Sequence, residues 1–289
     1  MKISDKTKIE SIDLNVRDLE KSLNFYNSLL GFRIIENDKN KALLSADGKL
    51  PFIISLEQKP DATTNDRHAA GLYHTAFLFP DRNALGKVFL HLHENGVKFH
   101  GFSDHIVSEA IYLGDPDGNG VELYVDKPNS EWHWISGQIN MDTLPLNLNL
   151  ITNEVLDRDE PWNGIDPRVT IGHIHLRVTD LLKAEKFYSN TIGFNVTNST
   201  YGGAIFMSAG GYHHHIGTNI WNSSNGPHHS ENSLGLKSFT IKIPDSIYIE
   251  ELKSRFKKSG LEFFELNGNK YPNGVQVKDY DSIIVKIVS

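Results

Sequence analysis

The chain has 289 residues, of which 39% are hydrophobic and 22% charged, an ordinary composition for about two globular domains. A net charge of −7 without any run of Lys or Arg argues against a nucleic-acid partner. No apolar run approaches the ~18–20 residues that span a bilayer, which argues against a membrane partner. Zero cysteines exclude disulfides, thiolate ligands and a Cys nucleophile; with no signal-like apolar region near the start, the chain reads as cytoplasmic. The 14 histidines are numerous and clustered, which is the first functional hint.

Taken in order, the chain repeats itself. Residues 9–16 (IESIDLNV) read as a strand. Asp18 follows as a helix N-cap, Leu19, Leu23, Tyr26 and Leu30 as an apolar helical stripe, and Gly31 as the stop. Residues 172–178 read as the matching strand, with Asp180, Phe187-Tyr188 and Gly193 at the same spacings. A second type of unit also occurs twice. Residues 72–79 form a strand followed by Pro80-Asp81 and a helix to Asn95-Gly96; residues 236–243 form a strand followed by Pro244-Asp245 and a helix to Ser259-Gly260. Short strands are expected after each helix: 33–36, 41–45 and 52–57 in the first unit, then 111–113 and 120–125 in the second. The third has 203–209 and 213–221, and the fourth 274–279 and 283–288. The chain is thus four strand–helix–strands units of roughly 50–70 residues, an α+β architecture of mixed sheets with helices outside. It divides into residues 1–125 (units one and two), a linker at 126–170, and residues 171–289 (units three and four). The linker is long and carries Trp132, Trp134 and Trp162, so it is expected to pack along the surface or partly cover a cleft.

Strand parity sorts the candidate site residues. After the turn Asp115–Gly120, Val121, Leu123 and Val125 face one way and Glu122, Tyr124 and Asp126 the other. In residues 173–178, Ile174, Leu176 and Val178 face the helix, leaving His173, His175 and Arg177 toward a cleft. Residues 72–79 are apolar on both faces, so parity does not fix His74. In residues 212–221, Ile216 and Ile220 read as core. This puts His213, His215, Asn219 and Trp221 on the cleft face and His214 on the core side or at the edge. Units one and four lack the matching groups: Ser11 and Asp13 stand where unit three has His173 and His175, Ser238 stands where unit two has His74, and the last strand has no carboxylate matching Glu122. His74, His173 and Glu122 therefore form a two-His, one-carboxylate set, a pattern that leaves metal positions open and is used with Fe(II) for oxygen chemistry. For each residue taken alone a bland reading competes. His74 reads as a satisfied core histidine, 213–215 as a polar strand whose members pair with backbone, Tyr112 as a core tyrosine, and His175 and Arg177 as residues salt-bridged across the cleft. His228 and His229 read as solvated loop residues, with a lid role open, and His91 and His93 as helix-surface residues.

Three stretches carry a family resemblance: Gly172–Val178 (GHIHLRV), Asp180-Leu181 with Phe187-Tyr188 and Gly193-Phe194, and Asp115–Glu122 (DPDGNGVE). Through them the whole chain resembles the vicinal oxygen chelate (glyoxalase/bleomycin resistance/dioxygenase) superfamily, as four βαβββ modules forming paired, cup-shaped sheets. Residues 71–74, 104–113 and 209–217 look like the catechol 2,3-dioxygenase-like group of extradiol dioxygenases. That resemblance implies an enzyme that opens an aromatic diol with O2 on Fe(II), or alternatively Mn(II). It implies His173, His74 and Glu122 as ligands, His215 as the group assisting oxygen activation, and Tyr112 and His105 as substrate contacts. In the two-domain extradiol enzymes all three ligands come from the C-terminal pair of modules. Here they are split, so modules two and three are expected to pair around one site and modules one and four to form a degenerate partner. Two rival readings are a glyoxalase-like isomerase or thiol-adduct enzyme, with four ligands on Ni(II) or Zn(II), and a non-enzymatic sequestering protein. A homo-oligomer is compatible with all three.

Overall fold

A computed structural model describes residues 2–64, 66–155, 161–268 and 271–289. Each module opens with the expected strand; the expected N-caps at Asp18 and Asp180 are matched by two more, at Asp81 and Asp245. Asp18 accepts from the Lys21 N–H, Asp81 from Ala84, Asp180 from Leu182 and Lys183, and Asp245 from Ile247 and Tyr248. These bonds satisfy helix-start donors that would otherwise be orphaned. In modules one and three the helix is only Leu19–Leu23 or Leu181–Glu185. It then widens into a π-helical turn, Asn24–Leu29 or Lys186–Ile192, a winding that apolar spacing does not announce. Gly193 closes its turn in the left-handed region at φ 109°.

The four modules make two sheets, and neither sheet follows the sequence halves. The nine-stranded sheet runs Leu144–Pro145, Gly101–Asp104, Ser108–Gly114, Gly120–Asp126, Gly71–Phe79, Thr170–Arg177, Ile216–Asn219, Ala204–Ser208, Asn195–Asn198. It therefore joins modules two and three through the antiparallel pair Gly71–Phe79 and Thr170–Arg177. The eight-stranded sheet joins modules four and one through Gly235–Lys242 and Lys8–Val16. Strands Gly101–Asp104, Asn195–Asn198 and Phe263–Gly268 lie at or next to sheet edges, where polar and glycine-rich sequence hides them from periodicity.

Each sequence half also ties the two sheets together in the same way. The Tyr26 hydroxyl, in the π turn of module one, donates to Asp115 in the turn of module two at 3.0 Å; Tyr188 of module three donates to Asp279 of module four at 2.8 Å. All four residues are buried. Burial pushes the Asp115 carboxyl up to about 6 and Asp279 up to about 7, against the hydrogen bonds each accepts.

Residues 156–160 of the linker lie outside the described residues; its described parts pack along the surface. Leu144–Pro145 extends the edge of the nine-stranded sheet, and Leu148–Thr152 lies on the module-two helix Arg82–Glu94. The Trp132 indole donates to the Val107 and Lys127 carbonyls. Trp162 stacks on His91 with centroids 4.3 Å apart, so His91 is covered rather than a plain surface residue. Trp134, in a two-residue-turn hairpin with Gln138–Ile139, stays exposed. Met141, Asp142 and Thr143 reach the rim of the cavity described next. Among the described residues no helix is long and apolar enough to cross a membrane.

Candidate metal centre

The concave face of the nine-stranded sheet holds a cavity of about 710 Å³. On its floor His74, Glu122 and His173 converge from three adjacent strands. The registers explain how: Gly71–Phe79 lies between Gly120–Asp126 and Thr170–Arg177, with Ala76 opposite both Glu122 and His173 and His74 opposite His175. Gly172 sits unpaired in a bulge just before His173, and the Tyr124 hydroxyl occupies the space where a Cβ would stand. The bulge lets Tyr124 pass beneath the strand while His173 points into the cavity.

The three donor atoms form a small triangle. His74 Nε2 lies 2.9 Å from Glu122 Oε2, His173 Nε2 3.2 Å from the same oxygen, and the two Nε2 atoms 3.4 Å apart. All three side chains are buried. Donors each about 2.1 Å from one centre at right angles stand about 3.0 Å apart, so these edges suit a facial set on one divalent ion. The charge state suits it too. Burial pushes the Glu122 carboxyl up, but the His173 and His74 imidazoles outweigh it and hold it well below the usual range. Burial lowers His173 to about 4 against the pull of Glu122, leaving a neutral imidazole. One carboxylate and neutral imidazole with their donor atoms at one buried point fit a metal ion better than they fit each other. Among the described residues this is the only group of three His, Asp or Glu donors within 4.8 Å of one another, and no second carboxylate joins it.

Tyr112 and His105 stand beside this floor as a pair. His105 Nδ1 lies 2.8 Å from the Asp142 carbonyl, which can only accept, so Nδ1 carries the proton and Nε2 accepts from the Tyr112 hydroxyl at 2.7 Å. Burial, then the Glu122 charge, raises the Tyr112 phenol well above its ordinary value.

His215, the third candidate, does not line the cavity. Residues 213–215 are not in a strand, which begins only at Ile216, so alternation does not extend back to them. His214, not His215, lines the cavity, its ring 4.0 Å from that of His173 between centroids. His215 lies on the far side, accepting the Ala209 N–H at Nδ1 and facing Phe194; burial lowers it to about 3. His213 bridges the Asp126 carboxylate at Nε2 and His214 Nδ1 at its other nitrogen, both at 2.8 Å. Because Asp126 accepts, His213 donates from Nε2 and accepts at Nδ1. His214 therefore donates from Nδ1 and keeps its Nε2 lone pair. Tyr212 also donates to Asp126, and the Tyr124 and Tyr212 hydroxyls are 2.7 Å apart. His213 and Asp126 were within reach of sequence reasoning through the HHH run and the parity of Glu122, yet their link needed the fold. His228 is exposed, while His229 is buried and not a solvated loop residue.

The eight-stranded sheet carries the counterpart of this floor in another state. Thr240 lies opposite both Ser11 and Lys286, as Ala76 lies opposite His173 and Glu122. Lys286 thus stands where Glu122 stands in the other sheet. Its ammonium, with Ser238, binds Asp13 at 2.8 Å. Burial raises the Asp13 carboxyl, but Lys286, Ser238 and Ser55 outweigh this and lower it. A cation in the carboxylate's place, already paired, leaves nothing to hold a metal.

This fold, with its two-histidine, one-carboxylate floor, places the chain in a known class. It belongs to the Glyoxalase/Bleomycin resistance protein/Dioxygenase superfamily, whose family profile matches residues 8–123 and 170–282. Its relatives include catechol-2,3-dioxygenase of Bacillus subtilis (strain 168), 40% identical over 280 residues, 96% of this chain and 95% of the relative. Biphenyl-2,3-diol 1,2-dioxygenase 3 of Rhodococcus globerulus is 30% identical over 115 residues, 39% of this chain and 60% of the relative. Solved structures share the fold. A putative dioxygenase from Bacillus subtilis matches with a TM-score of 0.68 at 15% identity, over 100% of this chain and 86% of that one. A Zea mays glyoxalase I mutant matches at 0.60 and 16% identity, over 98% and 92%.

Proposed function

We propose that this chain is an extradiol ring-cleaving dioxygenase, an enzyme that opens a catechol-type aromatic diol with O2 at a carbon–carbon bond beside the two hydroxyls. The observation that carries this reading is the convergence of His74, Glu122 and His173 on the floor of a cavity large enough for an aromatic substrate. The near full-length relationship to a protein named catechol-2,3-dioxygenase supports it. We assign His74, Glu122 and His173 as the ligands of Fe(II), with Mn(II) as the alternative metal. Bound there, the ion supplies the Lewis-acid and one-electron chemistry that brings the diol and O2 to react.

The chain's own groups then handle protons. The Tyr112 oxygen accepts the proton of one diol hydroxyl as its own proton passes to His105 Nε2, along the hydrogen bond already in place. The Asp142 carbonyl holds His105 in the tautomer that can receive it. On the opposite wall His214 presents Nε2 as an acceptor, oriented by His213 and Asp126, and serves the oxygen side of the reaction. His214 takes the role that the family resemblance implied for His215. The 141–143 segment and the aromatic walls keep bulk water from the floor. We read residues 1–125 and 171–289 as two copies of one two-module unit joined by 126–170, in a cytoplasmic protein. The four-ligand isomerase reading needs a second carboxylate, which the described residues do not place at the floor.

The test is regiochemical. Protein loaded anaerobically with Fe(II), given catechol and then air, is expected to form yellow 2-hydroxymuconic semialdehyde. Formation of cis,cis-muconate, or of no product from catechol and its alkyl, aryl and carboxyalkyl derivatives alike, overturns the proposal.

A further inference from the structure

The metal floor occupies only one part of the cavity. Strand Thr170–Arg177 continues along the same wall and presents alternate residues to it: His173, then His175, then Arg177. At about 3.3 Å per residue, the Arg177 backbone lies about 13 Å beyond that of His173. A bare catechol ring spans less than half that distance.

The intervening stretch is built like a slot. The His175 ring is walled by Tyr73 at 5.1 Å, Trp221 at 5.6 Å and Phe206 at 5.7 Å between centroids. His175 is 4% exposed, and its Nε2 has no hydrogen-bond partner, a costly arrangement that a ligand atom in the cavity would relieve. Beyond it the cavity ends in two guanidinium groups, Arg177 and Arg67. Arg177 is 7% exposed and donates from Nε to the Ala69 carbonyl. Its backbone pairs with Gly71. Burial, then the neighbouring Arg67 charge, works against the Arg177 cation, with Asp66 opposing in part. Arg177 is buried and Arg67 exposed, so two cations, one at the wall and one at the mouth, face the same end of the cavity. Together they make a site for an anion, and guanidinium suits a carboxylate in particular.

We infer that the substrate is not catechol itself but a catechol bearing an extended substituent that ends in a carboxylate, with the substituent lying between Tyr73 and Trp221 over His175 and the carboxylate at Arg177 and Arg67. This rests on the ring-cleavage reading above and names the substrate class of the same site. Arg177 and Arg67 act as specificity-determining residues, while the diol end is common to all catechols.

The experiment is anaerobic calorimetry on the Fe(II)-loaded protein, which needs no turnover. The probes are 3-(2,3-dihydroxyphenyl)propanoate and 3-(3,4-dihydroxyphenyl)propanoate, each beside its primary amide, with catechol as reference. At least one acid is expected to bind ~10-fold or more tighter than its amide, the scale of a hydrogen bond to a charged group. The gap is expected to shrink in Arg177→Gln and, independently, in the exposed-residue variant Arg67→Gln, which does not disturb the buried strand. Equal binding of acid and amide, or a gap unchanged in both variants, overturns this inference and leaves ring cleavage standing. Failure of every catechol to bind, catechol included, overturns the ring-cleavage reading and this inference with it.

Discussion

Replacing Glu122 with Gln keeps the shape of the floor and removes its one negative charge. A unit-charge pair ~4 Å apart is worth about 4 kcal/mol at an effective dielectric of 20, and a dication doubles that. Exchange of metal-bound water offsets much of it, so a retained loss of about 3 kcal/mol, or ~100-fold in metal Kd, is the expected scale. The effect is visible through linkage. At Fe(II) equal to 100 times the wild-type Kd, the metal stabilises the wild type by about 2.7 kcal/mol and Glu122→Gln by only about 0.4 kcal/mol. With an unfolding entropy of about 2.1 cal/mol/K per residue over 289 residues, 1 kcal/mol moves Tm by about 1.6 °C. Anaerobic calorimetric melting should therefore show Fe(II) raising Tm by about 4 °C in the wild type and by less than about 1 °C in the variant. An equal metal-induced rise in both proteins would refute the reasoning.

Further outcomes follow from particular contacts. Asp279→Asn should change how stability depends on pH. The folded carboxyl titrates at about 7 against about 3.9 unfolded, so the folded state holds a proton that the unfolded state loses. This contribution is complete below about pH 4 and is lost as pH rises through 7, at about 1.4 kcal/mol per unit. Relative to wild type, Asp279→Asn should gain about 4 kcal/mol between pH 4 and 7.5 in urea unfolding; a pH-independent difference contradicts the account. Tyr112→Phe removes the link to His105 and should lower kcat ~10²-fold with metal content unchanged; wild-type kcat would remove Tyr112 from the proton path. Gly172→Ala should place a methyl group on the Tyr124 hydroxyl and destabilise the protein by about 1–3 kcal/mol; wild-type stability in urea would mean the bulge is not as tight as described.

Much of this was legible because local chemistry and tertiary role agree. Asp18 and Asp180 are caps both by residue type and in the structure. Glu122 lies in a regular strand where parity holds, so its facing could be read directly. The pairing of modules two and three could be inferred only because Ser11, Ser238 and the missing carboxylate emptied the other sheet of donors. Lys286, the positive evidence, could not be recognised until register placed it opposite Thr240. His214 and His215 were exchanged because the apolar pattern of Ile216 and Ile220 was extended into residues that follow the Gly210-Gly211 turn and are not in a strand. The π turns carry the same apolar spacing as an α-helix, so nothing in the sequence distinguished them. The Asp126–His213–His214 chain joins residues 87 positions apart, a contact no local pattern encodes.

The central claim is that the two middle modules cage one metal ion and the outer two brace them. Anomalous diffraction at the iron edge, from crystals grown anaerobically with Fe(II), tests it most directly. One peak per chain is expected, bounded by His74 Nε2, His173 Nε2 and Glu122 Oε2, with none at Asp13 and Lys286. No peak at the floor of the cavity, or a peak bound by other residues, would contradict the account.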